Sequence, residues 1–146
     1  MSVFKYTHRV QYYETDRMKI VHHSNYVRWL EEARCAYLSS IGWGLERFES
    51  EGIVSPVTAI ECRYLSTTTF PDEIEIDIVS VELKGARLYL NYEMRRSGED
   101  KTVLTARSEH CFMSGDGRII NLRRCYPEFW SLLSGGAAEP SESAAK

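Results

Sequence analysis

Several features that mark particular protein classes are missing from this 146-residue sequence. Basic residues are not in excess, since 18 Lys and Arg stand against 21 Asp and Glu, and the net charge of −3 gives no reason to expect nucleic-acid binding. No apolar run approaches the ~20 residues of a membrane-spanning helix. The first six residues lack the apolar segment of a secretory signal. We therefore expect a cytoplasmic protein without a membrane span.

Paired cysteines and metal-binding clusters are also missing. The four cysteines are far apart and form no C-x-x-C pair, so neither a zinc knuckle nor a redox motif is indicated. We expect them to be buried thiols in a reducing compartment. His22 and His23 are adjacent and would not share one ligand face, so no metal site is expected.

Hydrophobic spacing predicts a single domain over residues 1–133, followed by a small, polar and disordered tail over 134–146. Helical spacing runs from an N-cap at Ser24 to Ile41, where Gly42 can end the helix. Strand alternation is predicted for residues 3–13, 53–65, 73–81, 87–95, 102–113 and 118–122, with short helices at 44–51 and 126–133.

One long helix among consecutive strands indicates an α+β fold with an antiparallel sheet. In the strand at 102–113, the polar residues Ser108 and His110 share a face with Leu104 and Ala106. A sheet wrapped around one helix leaves edges and an outer face uncovered, so a homodimer or homotetramer is expected.

The candidate catalytic residues lie in the polar loop that leads into this helix. It carries Glu14, Asp16, His22 and His23. No acid follows at 25–28, so the positive end of the helix is open to the negative charge of a substrate. Asp16 could act as a nucleophile or general base, or could only cap a turn. Glu14 could lie on the same side of an extended segment, or be a solvated surface residue.

This loop and helix resemble the 4-hydroxybenzoyl-CoA thioesterase family, which includes the bacterial short-chain acyl-CoA thioesterases of the YbgC type. The resemblance covers about residues 5–125 and is carried by Tyr13-x-Thr15-Asp16-x-Met18-x-Ile20-Val21-His22-His23-Ser24-Asn25-Tyr26 and by Trp29-Leu30-Glu31-Glu32-Ala33-Arg34. It implies a hot-dog fold, in which an antiparallel sheet of about five to six strands wraps around one long central helix. It also implies an acyl-CoA thioesterase that hydrolyses a short-chain or aromatic acyl-CoA to the free acid and CoA.

The resemblance also implies residue roles. Asp16 would be the catalytic carboxylate, and the backbone N–H of His23 would polarise the thioester carbonyl, while its imidazole could orient water or substrate. Glu14 is a secondary candidate in the same loop. The expected contributors to the loop and the substrate site are Asn25, Tyr26, Trp29, Ser55, Pro56 and Val57. Asn25 would fix the loop by hydrogen bonds, and Tyr26 would lie mainly in the core.

One departure from the family concerns Lys19, where many members have Gly. If that Gly serves a special backbone angle, the loop of this chain would differ in shape.

The phosphates of CoA need cations. Arg87 is the main candidate, with further ones at Lys84, Arg95, Arg96, Arg123 and Arg124, although each fits an ordinary solvated charge equally well. No cofactor is expected besides CoA as part of the substrate, and acyl carrier protein is an alternative carrier.

Two other functions stay open. A hot-dog hydratase or dehydratase would need a catalytic His and an acid on a Gly-containing helix, a pattern not found here. A non-catalytic module that binds acyl-CoA or acyl carrier protein would not need the intact Asp16 or the open helix start. The sequence does not indicate the acyl group, the oligomer, or whether Asp16 is a nucleophile or a general base.

Overall fold

Alternating apolar side chains build the sheet. In the computed structural model, which describes residues 2–135, Ile74, Ile76 and Ile78 of one strand are completely buried. The elements in chain order are β1 (Phe4–Arg9), a 3-10 turn (Tyr12–Glu14), α1 (His23–Ser40), α2 (Leu45–Glu51), β2 (Ile53–Val54), β3 (Val57–Tyr64), β4 (Glu73–Lys84), β5 (Arg87–Arg96), β6 (Thr102–Cys111), β7 (Met113–Ser114), α3 (Leu122–Cys125) and α4 (Pro127–Ser134).

Five strands form one antiparallel sheet in the order β1-β4-β5-β6-β3, and β2 pairs with β7 separately. Tight hairpins join β4 to β5 and β5 to β6, as strands consecutive in the chain allow. The predicted α+β architecture with an antiparallel sheet is confirmed. β3 and β1 are the edge strands, and the side chains of β3 are mostly exposed.

The long helix α1 packs against β1 and β4 through residues spaced three or four apart. Its buried side chains are Tyr26, Trp29, Leu30, Ala33, Arg34, Tyr37 and Leu38. The predicted N-cap at Ser24 is wrong by two residues. His22 is the cap, because its Nδ1 accepts the Ser24 N–H at 3.2 Å.

Three further expectations need correction. The strand predicted for residues 3–13 ends at Arg9, because the chain then enters the 3-10 turn, where Tyr12 is 75% exposed. The strand expected at 118–122 is only an isolated bridge at Ile119, because Asn121 begins α3 by capping it. The cysteines are not all buried, since Cys35 and Cys125 are exposed.

An aromatic cluster closes the end of the sheet opposite the start of α1. Trp43 stacks on Phe129 with ring centroids 4.2 Å apart, and Phe48 and Phe112 pack edge-on around them. The cluster holds α2 and α4 against the sheet. No helix within residues 2–135 combines the length and apolarity needed to cross a bilayer. The predicted disordered tail falls outside the described residues, except for Ser134, which ends α4, and the residue after it.

Candidate active site

Asp16 is held at the start of a tight turn. Its backbone N–H donates to the Ile20 carbonyl at 2.9 Å, and its own carbonyl accepts the Lys19 N–H at 2.8 Å. Its Oδ1 accepts the Met18 N–H at 2.8 Å, the usual way in which an Asp side chain closes a turn. No group among residues 2–135 donates to Oδ2. The half-buried carboxylate therefore has one fixed oxygen and one free oxygen.

Lys19 gives the turn its shape. With φ of 66°, it is the one non-glycine residue between positions 2 and 135 with a left-handed backbone. Its carbonyl accepts the Thr69 hydroxyl at 2.6 Å, which ties the turn to the loop before β4. A left-handed conformation costs a side-chain-bearing residue about 1–2 kcal/mol. The position where the resembled family often has Gly is thus one that favours Gly, and Lys19 adopts the strained angle.

The N-terminus of α1 has one free donor. The Ser24 N–H is satisfied by the His22 ring, and the Asn25 N–H donates to the His22 carbonyl at 2.9 Å. In the described part of the chain, no acceptor faces the His23 N–H, and the first turn of α1 contains no acid. The partial positive charge of this N–H, reinforced by the helix dipole, is therefore not used by a protein acceptor in the described residues.

A short backbone ladder places these two groups at the same end of α1. Its rungs are the hydrogen bond from His22 N–H to the Glu14 carbonyl at 2.9 Å, the bridge between Thr15 and Val21, and the hydrogen bond from Asp16 to Ile20. The segment carrying Asp16 consequently runs antiparallel to the segment that enters α1. A carbonyl oxygen bound at the His23 N–H would have the Asp16 carboxylate within the same loop.

Aromatic rings form the rim of this end of the helix. The exposed imidazole of His23 stacks on that of His22 with centroids 4.3 Å apart, and meets the Tyr64 ring edge-on at 6.3 Å. The Tyr64 hydroxyl donates to the His23 carbonyl at 3.2 Å. These contacts connect the start of α1 to the edge strand β3.

Glu14 differs from both of its expected forms, a solvated surface residue or a substrate contact. It is only 7% exposed, and protein groups occupy both carboxylate oxygens. Oε1 accepts the Gln11 N–H at 2.8 Å and lies 3.0 Å from His8 Nε2, while Oε2 accepts the Trp29 indole N–H at 2.9 Å. Burial by itself raises the pKa of Glu14, but these hydrogen bonds from Gln11, His8 and Trp29 outweigh it and lower the pKa. Glu14 is therefore a structural acceptor beneath the loop.

The hydrogen bonds continue beyond Glu14. His8 Nδ1 lies 3.1 Å from Glu32 Oε1, which also accepts the Tyr6 hydroxyl at 2.9 Å. Sequence reasoning missed this network, because its members lie on β1, the loop and α1. One sequence signal could have indicated it. His8 lies on the inward face of β1, and the helix that packs there carries Trp29 and Glu32 three residues apart, on one side of α1.

Asn25, Tyr26 and Trp29 support the loop from the protein side. The Asn25 amide donates to the Glu14 carbonyl at 2.9 Å, the kind of loop-fixing bond predicted for it. The Tyr26 hydroxyl is buried against the Thr68 hydroxyl at 2.7 Å, and Trp29 is completely buried. The polar atoms of Tyr26 and Trp29 are thus engaged within the protein and are not presented to a substrate.

The expected acyl-site residues Ser55, Pro56 and Val57 do not line one common cavity. Val57 lines a cavity of about 310 Å³ between α1 and strands β3 and β6. Ser55 lines a different cavity of about 280 Å³ between α1 and α2. Pro56 is exposed, and its carbonyl accepts the Cys111 N–H at 3.3 Å.

Most of the cations proposed for CoA phosphates are already paired with carboxylates. Arg87 Nη1 lies 2.5 Å from Glu109 Oε2. The other pairs are Lys84 with Glu82, Arg95 with Asp77 and Glu75, and Arg96 with Asp72 and Glu99. Arg123 lies over the Trp130 ring at 4.9 Å. Across residues 2–135, no three or more His, Cys, Asp or Glu side chains are grouped to hold a metal ion.

Comparison with known proteins relates this geometry to one family. The model of the thioesterase-like superfamily matches residues 10–143. The chain is 34% identical over 119 residues to a protein of Aquifex aeolicus named "Putative esterase", covering 82% of this chain and 91% of that protein. It is 26% identical over 129 residues to the Bacillus subtilis protein named "Putative acyl-CoA thioesterase YneP", covering 88% and 94%. Among solved structures, DHNA-CoA thioesterase from Staphylococcus aureus superposes with a TM-score of 0.83 at 26% identity, covering 90% of this chain and 89% of the other.

Proposed function

This chain belongs to the thioesterase-like superfamily, and from that premise we propose that Asp16 and the N-terminus of α1 hydrolyse a short-chain or aromatic acyl-CoA. The fold is the hot-dog thioesterase fold, and the chain is a thioester hydrolase of the acyl-CoA thioesterase class. The substrate range and the catalytic residues are the proposal. The observation that carries it is the turn that fixes Asp16 beside the open start of α1.

In the proposed reaction, the thioester oxygen accepts the His23 N–H, and the helix dipole stabilises the negative charge that develops there. As a nucleophile, Oδ2 of Asp16 bonds to the acyl carbon and the C–S bond breaks, which leaves a mixed anhydride that water opens. As a general base, Oδ2 takes a proton from the water that attacks the acyl carbon, and the C–S bond then breaks as CoA leaves with that proton on its sulfur. Both routes give the free acid and CoA, and both need an oxygen without a protein partner, as Oδ2 is.

The loop motif supports placing the chain near the 4-hydroxybenzoyl-CoA thioesterase and YbgC-like branch. Within the described residues, the edge strand β3 exposes Val57, Ile60 and Tyr64, three large apolar or aromatic side chains. This exposed edge supports a homodimer or homotetramer, because a second copy would cover it. CoA is the proposed carrier, with acyl carrier protein as the alternative.

The first test is free-thiol release from a panel of short aliphatic and aromatic acyl-CoAs, with the wild type beside Asp16→Asn. The substitution keeps the shape of the side chain and removes its charge, so kcat/KM should fall by about 10²–10⁴-fold or more. Asp116→Asn is the matched control, since Asp116 is an exposed aspartate in another turn. It should retain the wild-type rate.

The other outcomes are equally informative. Turnover that survives in Asp16→Asn would remove Asp16 from the mechanism. Acyl-CoA binding without turnover on any substrate would favour the non-catalytic module. Hydration of crotonyl-CoA without thiol release would favour a hydratase.

A further inference from the structure

The cavity between α1 and the sheet combines apolar surface with a group of buried polar side chains. Its helix side is lined by Val27, Arg28, Leu30 and Glu31 of α1. On its sheet side, Val57 and Ile60 of β3 lie beside their β6 pairing partners His110 and Ser108, and Tyr92 of β5 completes the lining. The three polar side chains of the sheet, Tyr92, Ser108 and His110, are each at most 2% exposed. A mostly apolar pocket with a few buried polar groups is the usual form of a small-molecule site.

The three polar side chains form a hydrogen-bonded chain with one free end. The hydroxyls of Tyr92 and Ser108 are 2.8 Å apart, and the Ser108 hydroxyl is 2.7 Å from His110 Nε2. The other ring nitrogen, Nδ1 of His110, is buried and has no hydrogen-bond partner in the part of the chain that the structure describes. A buried polar group without a partner costs about 1–3 kcal/mol, so its presence beside a cavity points to a ligand.

The direction of the hydrogen bonds identifies the free group as a donor. Burial, helped by the charge of Arg34, lowers the pKa of His110 to about 3, so the ring is neutral at pH 7 and carries one N–H. If Tyr92 donates to Ser108 and Ser108 donates to Nε2, every hydroxyl proton is used and the ring N–H is at Nδ1. The reverse direction would leave the Tyr92 O–H without an acceptor among residues 2–135. The first arrangement is therefore favoured.

We propose that this cavity holds the acyl group of the substrate and that the Nδ1–H of His110 binds an oxygen acceptor on that group. The location rests on the proposed function, which puts the thioester carbonyl at the His23 N–H. The α1 residues of the cavity follow His23 by four to eight positions, a rise of roughly 6–12 Å along the helix. That span suits an acyl group of one substituted aromatic ring or a chain of similar length. His110 is thus a specificity residue, and Ser108 and Tyr92 orient it.

The cavity should discriminate strongly against acyl groups that lack an oxygen acceptor. An acyl group with a hydroxyl or carbonyl oxygen satisfies the buried N–H, whereas an unsubstituted acyl group leaves it unpaired. From the cost of an unpaired buried group, the oxygenated substrate should have the higher kcat/KM by about 10–100-fold.

The test compares benzoyl-CoA with its 2-, 3- and 4-hydroxy derivatives. Wild type should prefer one hydroxy isomer by that factor. His110→Asn places an amide N–H near the position of Nδ1 and should keep most of the preference. His110→Gln places its amide near the position of Nε2 and should bring the ratio close to one, because the rate on the preferred hydroxy isomer falls more than the rate on benzoyl-CoA. A purely structural role would lower the rates on all substrates together and leave the ratio unchanged, which would overturn the proposal.

A binding measurement separates this proposal from the catalytic one. Calorimetric titration of Asp16→Asn with the same four thioesters should show the same order of affinities, since acyl recognition does not need the Asp16 charge. Equal affinities for benzoyl-CoA and all hydroxy isomers would overturn the role of His110 while leaving the role of Asp16 intact. Hydrolysis that survives in Asp16→Asn would overturn the catalytic proposal while leaving the isomer preference to be judged on its own.

Discussion

Replacing Glu14 by Gln should destabilise the protein far more than its similar size and shape suggest. Both carboxylate oxygens accept from N–H donors, Oε1 from Gln11 and Oε2 from Trp29. A glutamine has one oxygen and one NH2 group. Whichever way the amide is turned, its NH2 faces an N–H, and neither the Gln11 backbone nor the Trp29 indole can become an acceptor.

The expected loss of stability follows from this pairing of two donors. The substitution removes at least one hydrogen bond to a charged acceptor, worth about 1.5–3 kcal/mol, and leaves a buried donor unpaired. We expect the free energy of unfolding to fall by about 2–4 kcal/mol. With a urea m-value of about 2 kcal/mol/M, the unfolding midpoint should fall by about 1–2 M.

Glu32→Gln provides the matched control in the same network. Both protein contacts of Glu32, to His8 and to the Tyr6 hydroxyl, are made by Oε1 alone, and its side chain is 41% exposed. A glutamine can keep its oxygen at that position and turn its NH2 to water, so the loss should stay below about 1 kcal/mol. Urea unfolding followed by tryptophan fluorescence measures both variants. An equal loss in the two, or a change within about 0.5 kcal/mol for Glu14→Gln, would refute the reasoning.

Two further predictions concern stability. Lys19→Gly relieves about 1–2 kcal/mol of left-handed strain against roughly 0.5–1 kcal/mol of added chain entropy, so a net gain of about 0.5–1 kcal/mol is expected in urea unfolding. Lys19→Ala, which keeps the Cβ, should gain nothing, and a destabilised Lys19→Gly would contradict the account. For His110, the folded pKa of about 3 lies below the unfolded value of 6.5, so the unfolded state binds more protons between these pH values. Wild-type stability should therefore fall, through this group, by roughly 1 kcal/mol per unit as pH drops from 6.5 towards 3. The stability of His110→Asn, measured by urea unfolding, should not show this part of the fall with pH. An identical fall with pH in both proteins would contradict the prediction.

Local patterns predicted the elements whose burial is set by their own sequence. Ile74, Ile76 and Ile78 alternate with acids, and α1 repeats its apolar residues at helical spacing, so each element identifies its inward face without knowledge of its partners. The strand predicted at 118–122 failed because Asn121 satisfies the start of α3, a local capping interaction that competes with strand pairing.

The site was predicted only in part, for a related reason. Asp16 and the open helix start lie within ten residues of each other and are visible in one stretch of sequence. The burial of Glu14 depends on His8 and Trp29, which approach it only when β1 packs against α1. Alternation predicted that His110 shares a face with Leu104 and Ala106, but its hydrogen-bond partners depend on the relative positions of β5 and β6.

The contacts of Glu14 also determine how the protein can move. Its side chain and carbonyl bind β1, the loop and α1 together, and the adjoining Val21 N–H donates to the Thr68 carbonyl at 2.9 Å. The turn that carries Asp16 therefore cannot open as an independent unit, because freeing it would break bonds to segments that fold with the core. In hydrogen exchange, the amides of Val21 and His22 should exchange at the slow rate of α1, although they belong to a loop. Motion that admits a substrate is then left to the exposed rings of His22, His23 and Tyr64 at the rim.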